Sequence, residues 1–296
     1  MEQQLRSLRP EQGPRPPPSH ESCLVFDPAL FESAFNRKAF LIRHRLADQP
    51  LFQLKRIVQL ARTWAPSSIE YNPGDIPIDQ DPGLTPASGL SPEETIRRIE
   101  TCRSWLVLKR VDRDPGYRAV MDRCLDEVRP HTEPVAKGMG DRQAFLFVSS
   151  PGSVTPYHID PEYNFLLQIR GTKTVHVFDP ADRDLLSDRD LEGFLSGGHR
   201  NLRFDEACQG RARTFVLKPG DGLHIPVTAP HWVRNGTEPS VSFSITFRTP
   251  ASDRRALVYS LNAWLRRRGL TPTPYGASAW RDGLKGNVMR LVRRAR

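Results

Sequence analysis

The chain has 296 residues, 38% hydrophobic and 26% charged, an ordinary balance for a globular protein with one large domain or one domain and an appendage. No stretch approaches the roughly 20 apolar residues of a bilayer span, and the opening Met-Glu-Gln-Gln-Leu-Arg has no apolar h-region, so a cytoplasmic protein without a membrane partner is expected. The net charge of +9 sits in one place: residues 251–296 hold eleven Lys or Arg against two acids, so residues 1–250 sum to zero.

Residues 1–21 are rich in proline and polar groups and cannot bury enough apolar surface to fold alone, so they are expected to be disordered. Residues 22–250 then read as one domain, with a helical part over 22–130 and a strand-rich core over 131–250. Ala39-Phe-Leu-Ile42 reads as a short edge strand. His44, between Arg43 and Arg45, reads as a solvated histidine. Leu54, Ile57, Val58 and Ala61 recur at helical spacing and predict a helix over 51–63. Residues 65–90 carry many Pro, Gly and Asp and read as one long loop, of the kind that often covers a site. Ser91-Pro-Glu-Glu94 has the form of a capping box, and the helix it starts is expected to run to about Cys102. Trp105 to Leu108 reads as a strand. Asp114-Pro115 starts another helix, with Tyr117, Met121, Cys124, Leu125 and Val128 on its buried stripe. The four cysteines, Cys23, Cys102, Cys124 and Cys208, lie too far apart for a zinc ribbon or a disulfide framework and read as reduced thiols.

From about Gly140 to Thr249 the pattern changes to short strands punctuated by Gly and Pro: 144–148, 165–169, 173–178, 214–217, 222–226 and 241–247. Residues 185–198 form an insertion. Such a run suggests a double-sheet jelly roll, a mainly β fold with N-terminal helices and a C-terminal helical tail. Gly171-Thr172 reads as the tight turn of a hairpin that returns Lys173 along the sheet towards Asn164. In the tail, residues 251–296, Leu257, Leu261, Trp264 and Leu265 repeat at helical spacing.

The stretch Gly152 to Gly171 holds a His-x-Asp pair, His158 and Asp160, which a strand presents on one face. His231 is the candidate third member. Two histidines and one carboxylate on one face of a metal leave the opposite positions open, the facial arrangement of non-haem Fe(II) oxygenases. His224 and His176 are the rival histidines, each either a contact near the site or a hydrogen-bonded core residue. His199 reads as loop.

The spacing itself resembles the two-part motif of the cupin superfamily. The first part is Gly152, His158, Asp160, Asn164 and Gly171, and the second is Gly220, Pro226, His231 and Asn235. Asp at 160 and Asn at 164 are similar to the JmjC-type branch, and the pattern resembles the asparaginyl hydroxylase that acts on hypoxia-inducible factor. This resemblance implies a double-stranded β-helix and an Fe(II)- and 2-oxoglutarate-dependent oxygenase. His158, Asp160 and His231 would hold iron. Thr155 and Lys173 would grip the distal carboxylate of 2-oxoglutarate, with Asn164 beside it. O2 would take the last position, and succinate and CO2 would leave. The family often has an Asn on the last core strand; here a Ser or Thr of Val241-Ser-Phe-Ser-Ile-Thr-Phe247 must replace it. The resemblance also implies a homodimer through C-terminal helices and either a protein side chain or a small molecule as substrate. Two rivals stand beside this reading: a non-catalytic cupin-fold transcriptional regulator that binds nucleic acid through the basic tail, and a cupin enzyme using a different metal.

Overall fold

The computed structural model describes residues 22–81 and 89–294; the N-terminal stretch expected to be disordered lies outside the described residues. Among the described residues, twelve strands form two antiparallel sheets. The strands are β1 (Leu24–Val25), β2 (Phe40–His44), β3 (Ile69–Pro73), β4 (Ser104–Lys109), β5 (Gly140–Ser149) and β6 (Val154–His158). They continue as β7 (Tyr163–Arg170), β8 (Lys173–Val177), β9 (Arg213–Leu217), β10 (Asp221–Ile225), β11 (His231–Asn235) and β12 (Ser240–Arg248). The larger sheet has the order β1-β2-β10-β7-β12-β5-β4-β3, and the smaller β6-β11-β8-β9. The helices are α1 (Pro28–Ala34), α2 (Leu54–Thr63), α3 (Pro92–Arg97), α4 (Pro115–Thr132), α5 (Asp188–Leu195), α6 (Pro250–Arg266) and α7 (Ala279–Arg294).

Strand alternation decides which side chains face the space between the sheets. On β7, Phe165, Leu167 and Ile169 join the core under α1, α2 and α4, where they meet Phe31, Ile57 and Tyr117. Leu166 instead joins Val175, Val177, Leu217, Leu223 and Val233, a cluster built from both sheets. Asn164 and Gln168 share that inner face. On β12, Val241, Phe243, Ile245 and Phe247 take the helix side, so Ser242, Ser244 and Thr246 face inward and are buried. Their hydroxyls are used there: Ser242 donates to Gln168 Oε1 at 2.6 Å and Ser244 to Asn164 Oδ1 at 2.8 Å.

The helix starts obey their local signals. Ser91 and Glu94 make the reciprocal capping box, and the Asp114 carboxylate accepts from the Gly116 and Tyr117 amides. Met121 and Cys124 are buried in the core, and all four cysteines are free thiols. Among the described residues, no helix is long and apolar enough to cross a membrane.

Several expectations change. The strand read at Ala39–Ile42 runs on to His44: β2 pairs with β10 on one side, and on the other the two-residue β1 pairs only with Arg43 and His44. His44 is 5% exposed rather than solvated, because β2 turns it inward; its Nε2 meets the Gln168 carbonyl and its Nδ1 accepts from the Leu46 amide. Its pKa falls to about 4, since burial outweighs these bonds. The stretch 65–90 is not all loop, for β3 pairs with β4 along five residues; residues 82–88 lie outside the described residues. The α3 helix ends at Arg97, short of Cys102.

The largest change concerns the turn at Gly171-Thr172. It joins β7 of the larger sheet to β8 of the smaller one, so these strands are not a paired hairpin. The chain switches sheets there, and Lys173 faces the interior from the sheet opposite Asn164. Gly171 makes the switch feasible: its φ is +66°, and a Cβ would stand 2.4 Å from the Pro239 carbonyl oxygen.

The C-terminal segment is two helices packed on each other, with α6 also resting on α5. Of the stripe read on residues 257–265, Leu261 is buried, Leu257 and Leu265 are half-buried and Trp264 is exposed. Further exposed apolar residues lie on α7, among them Trp280, Leu284, Val288 and Leu291. Gly171→Ala is expected to destabilise the fold by about 2–3 kcal/mol, from strain at positive φ plus the backbone clash. Urea unfolding of the variant against wild type measures it.

Candidate metal centre

The antiparallel pairing of β6 with β11 sets His158 directly opposite His231. The two rings lie 4.1 Å apart between centroids. Asp160 follows β6 by two residues, and its Oδ2 is 3.7 Å from the Nε2 of each histidine. That separation is too long for a hydrogen bond, so the three groups converge without satisfying one another. One ligand atom from each lies within 4.8 Å of the others.

Each histidine is oriented the same way. His158 Nδ1 meets the Pro156 carbonyl at 2.7 Å, and His231 Nδ1 meets the Ala229 carbonyl at 2.9 Å. A carbonyl only accepts, so Nδ1 carries the proton and the Nε2 lone pair points into the site. Burial lowers both pKa values, that of His158 to about 3 with the neighbouring His231 adding to the effect. Burial pushes the Asp160 carboxyl the other way, but His158, His231 and Arg200 together outweigh it and keep the group ionised. Two neutral imidazoles and one carboxylate are the protonation states a divalent cation requires. Thr228 holds the turn: its amide donates to the Asp160 carbonyl at 2.9 Å, and its φ is +59°, strained for a β-branched residue.

Lys173 lies between the sheets, 5% exposed, with no salt bridge among the described residues. Its Nζ lies over the Phe147 ring, 6.0 Å from the ring centre. Burial alone pushes its pKa down to about 7. Asn164 is buried on the facing sheet, held by Ser244, which occupies the last core strand as the sequence required. Thr155 lies on β6 and borders a cavity of about 80 Å³ together with His158.

The other histidines separate cleanly. His224 is fully buried, with Nε2 accepting from the Asn36 amide and Nδ1 meeting the Asn164 carbonyl; it is a satisfied core group stacked on Phe35. His176 stacks on Trp232 at 4.0 Å and bonds Gln209 and Thr214, on the face of β8 opposite Lys173. His199 is in a loop and borders the cavity beside His158.

Sequence reasoning missed four residues of that cavity. Arg200 reaches Asp160 at 3.7 Å and Glu70 at 3.3 Å. Asn201 forms a β-bridge with His158. Trp105, 4% exposed, lines the same space with its Nε1 donor unpartnered. Glu70 comes from the edge strand β3 and Trp105 from its neighbour β4, while Arg200 and Asn201 follow the 185–198 insertion, none with a motif. The one signal in the sequence was that residues 65–90 read as a loop of the kind that covers a site, which holds Glu70.

A family model described as a cupin-like domain matches residues 101–253, just over half of the chain. Jumonji C domain-containing protein 5 of Drosophila melanogaster is 35% identical over 121 residues, 37% of this chain and 28% of that protein. Lysine-specific demethylase 8 of Xenopus tropicalis is 31% identical over 102 residues, 32% of this chain and 22% of that protein. The chain thus spans about a quarter of the length of these relatives. Among solved structures, the Escherichia coli ribosomal oxygenase YcfD in complex with cobalt and 2-oxoglutarate superposes with a TM-score of 0.51 at 17% identity, covering 92% of this chain and 67% of that one. That likeness shows the shared fold. With two facing antiparallel sheets, the motif histidines paired across β6 and β11, and the family match spanning β4 to β12, the chain belongs to the cupin-like domain family.

Proposed function

We propose that the protein is an Fe(II)- and 2-oxoglutarate-dependent oxygenase that hydroxylates a side chain of a protein substrate. The observation that carries this reading is the convergence of the Nε2 atoms of His158 and His231 with the Asp160 carboxylate, each histidine's proton held away on Nδ1. The residues fit the metal, since the donor set is the two-histidine, one-carboxylate triad of non-haem iron. They also fit the cosubstrate, because Lys173 is a buried cation without a counter-charge. When bound, iron and 2-oxoglutarate supply oxidative decarboxylation to succinate and CO2 coupled to hydroxylation of a C–H bond. His158, Asp160 and His231 would hold the metal, while Lys173 and Thr155 would take the distal carboxylate by charge-assisted bonds. Asn164, fixed by Ser244, lines the inner face beside them. The relatives named as a lysine-specific demethylase and a ribosomal oxygenase support a protein substrate, as does the resemblance to the asparaginyl hydroxylase group.

His158→Ala is expected to abolish both stoichiometric Co(II) binding and uncoupled succinate formation, while His176→Ala keeps both, as measured by calorimetry and succinate assay. Equal loss in the two variants would refute the ligand assignment.

Lys173 gives a pH prediction. The ammonium form grips the cosubstrate, and its pKa before binding is about 7. Affinity for 2-oxoglutarate should therefore fall as pH rises above 7, by about tenfold per unit at most, with proton uptake on binding at pH 8. The same depressed pKa makes the folded chain bind fewer protons than the unfolded one between about 7 and 10.5. Ligand-free stability should rise with pH across that window, and Lys173→Met should remove the rise and lose 2-oxoglutarate binding. Calorimetry and unfolding at several pH values check both.

A further inference from the structure

A second cavity, of about 170 Å³, opens beside the metal turn, between the loop that carries Thr228, the start of α6 and Tyr275. Two guanidinium groups, Arg248 and Arg255, line it, and no carboxylate does. Arg248 is neutralised from outside, by Asp253 at 2.8 Å and Glu162 at 3.7 Å. Arg255 is not: among the described residues it forms no salt bridge. Its partners are all neutral, namely the Thr228 hydroxyl at 3.2 Å, the Tyr259 hydroxyl, and the rings of Tyr259 and Tyr275 at 5.6 and 5.8 Å. Its Nε is buried and has no partner at all. A guanidinium cannot shed its proton, and buried donors are nearly always paired, so this one lacks an acceptor the fold does not provide. Tyr163, Leu195, Val227 and Ala256 give the cavity apolar and aromatic lining, with Asn36 and Ser252 beside them.

We propose that this cavity is a binding site for a small organic carboxylate with an apolar body. The carboxylate takes Arg255 where the guanidinium lines the cavity, by a charge-assisted bond, and the body lies along the aliphatic and tyrosine side chains. The cavity is too small for a nucleotide, and a single uncompensated cation with apolar walls suits a monoanion better than a phosphate. The site also touches the metal turn. Arg255 bonds the Thr228 hydroxyl, and the Thr228 amide holds the Asp160 carbonyl, so an occupant reaches Asp160 through two hydrogen bonds. The inference does not depend on the oxygenase reading, since none of these residues belongs to the triad or the cosubstrate clamp.

The test is calorimetric titration of the full chain with sodium butyrate at constant ionic strength, in a Lys173→Met background so that the inner cation cannot compete. One saturable site is expected. Arg255→Gln should weaken it at least tenfold, Arg255→Lys should restore part of the loss, and inorganic phosphate should bind more weakly than butyrate. Ala251→Leu, at an exposed position that borders the cavity, should block binding without touching the charge, which covers the case of an Arg255 variant that fails to fold. Absence of saturable binding, or unchanged affinity in Arg255→Gln or in Ala251→Leu, would overturn the site. Phosphate binding as tight as butyrate would overturn the organic-acid assignment.

Discussion

The structure depends on one cross-strand pair, His158 opposite His231. Backbone hydrogen bonds between β6 and β11 decide which residues stand opposite, and they tie together segments 73 positions apart. A one-residue slip in that register would turn one imidazole to the outer face of the sheet, where His176 and Trp232 already stack. The same local device then aims both rings: each Nδ1 meets the carbonyl two residues earlier, at Pro156 and at Ala229. Asp160 completes the group because the chain leaves β6 at once and the Thr228 amide catches its carbonyl.

A protein built this way carries destabilising features at its centre. Lys173 is a cation in an interior that gives it no counter-charge, and Thr228 holds a backbone conformation that a β-branched residue avoids. The surroundings offset these costs. The helices bury Phe31, Phe165, Tyr117 and Phe243 on the far face of the larger sheet, each worth about 1.5–3 kcal/mol of transfer free energy. The polar residues of the inner face largely satisfy one another, as the Ser244–Asn164 and Ser242–Gln168 pairs show. Lys173 is therefore set apart from its neighbours by having no partner, which suits a group that awaits an anion.

The two cavities, one bordered by His158 and the other by Pro161 and Thr228, differ in character. One is polar, bordered by Glu70, Trp105, Thr155 and Arg200 next to His158. The other has an uncompensated guanidinium set against tyrosine and aliphatic side chains. The turn from Asp160 to Tyr163 is thus the part of the chain where metal, substrate and any further ligand would act on one another.

The sequence by itself picked out the three residues that converge, because His158, Asp160 and His231 sit at fixed offsets from glycines, a proline and an asparagine. It also determined the helix starts, since capping is a local affair of Ser91 with Glu94 and Asp114 with the amides after it. Only the tertiary structure decided which side of a strand was inside. Val-Ser-Phe-Ser-Ile-Thr-Phe on β12 alternates like a half-solvated strand, yet its polar face lines the barrel, because the second sheet covers it. The same ignorance of layers made Gly171-Thr172 look like a hairpin, although its φ and its closeness to Pro239 serve a crossing between sheets. His44, Arg200, Trp105 and Arg255 carried no local signal, since their roles come from neighbours far away in the chain, and charge or burial at such positions is a property of the assembled fold.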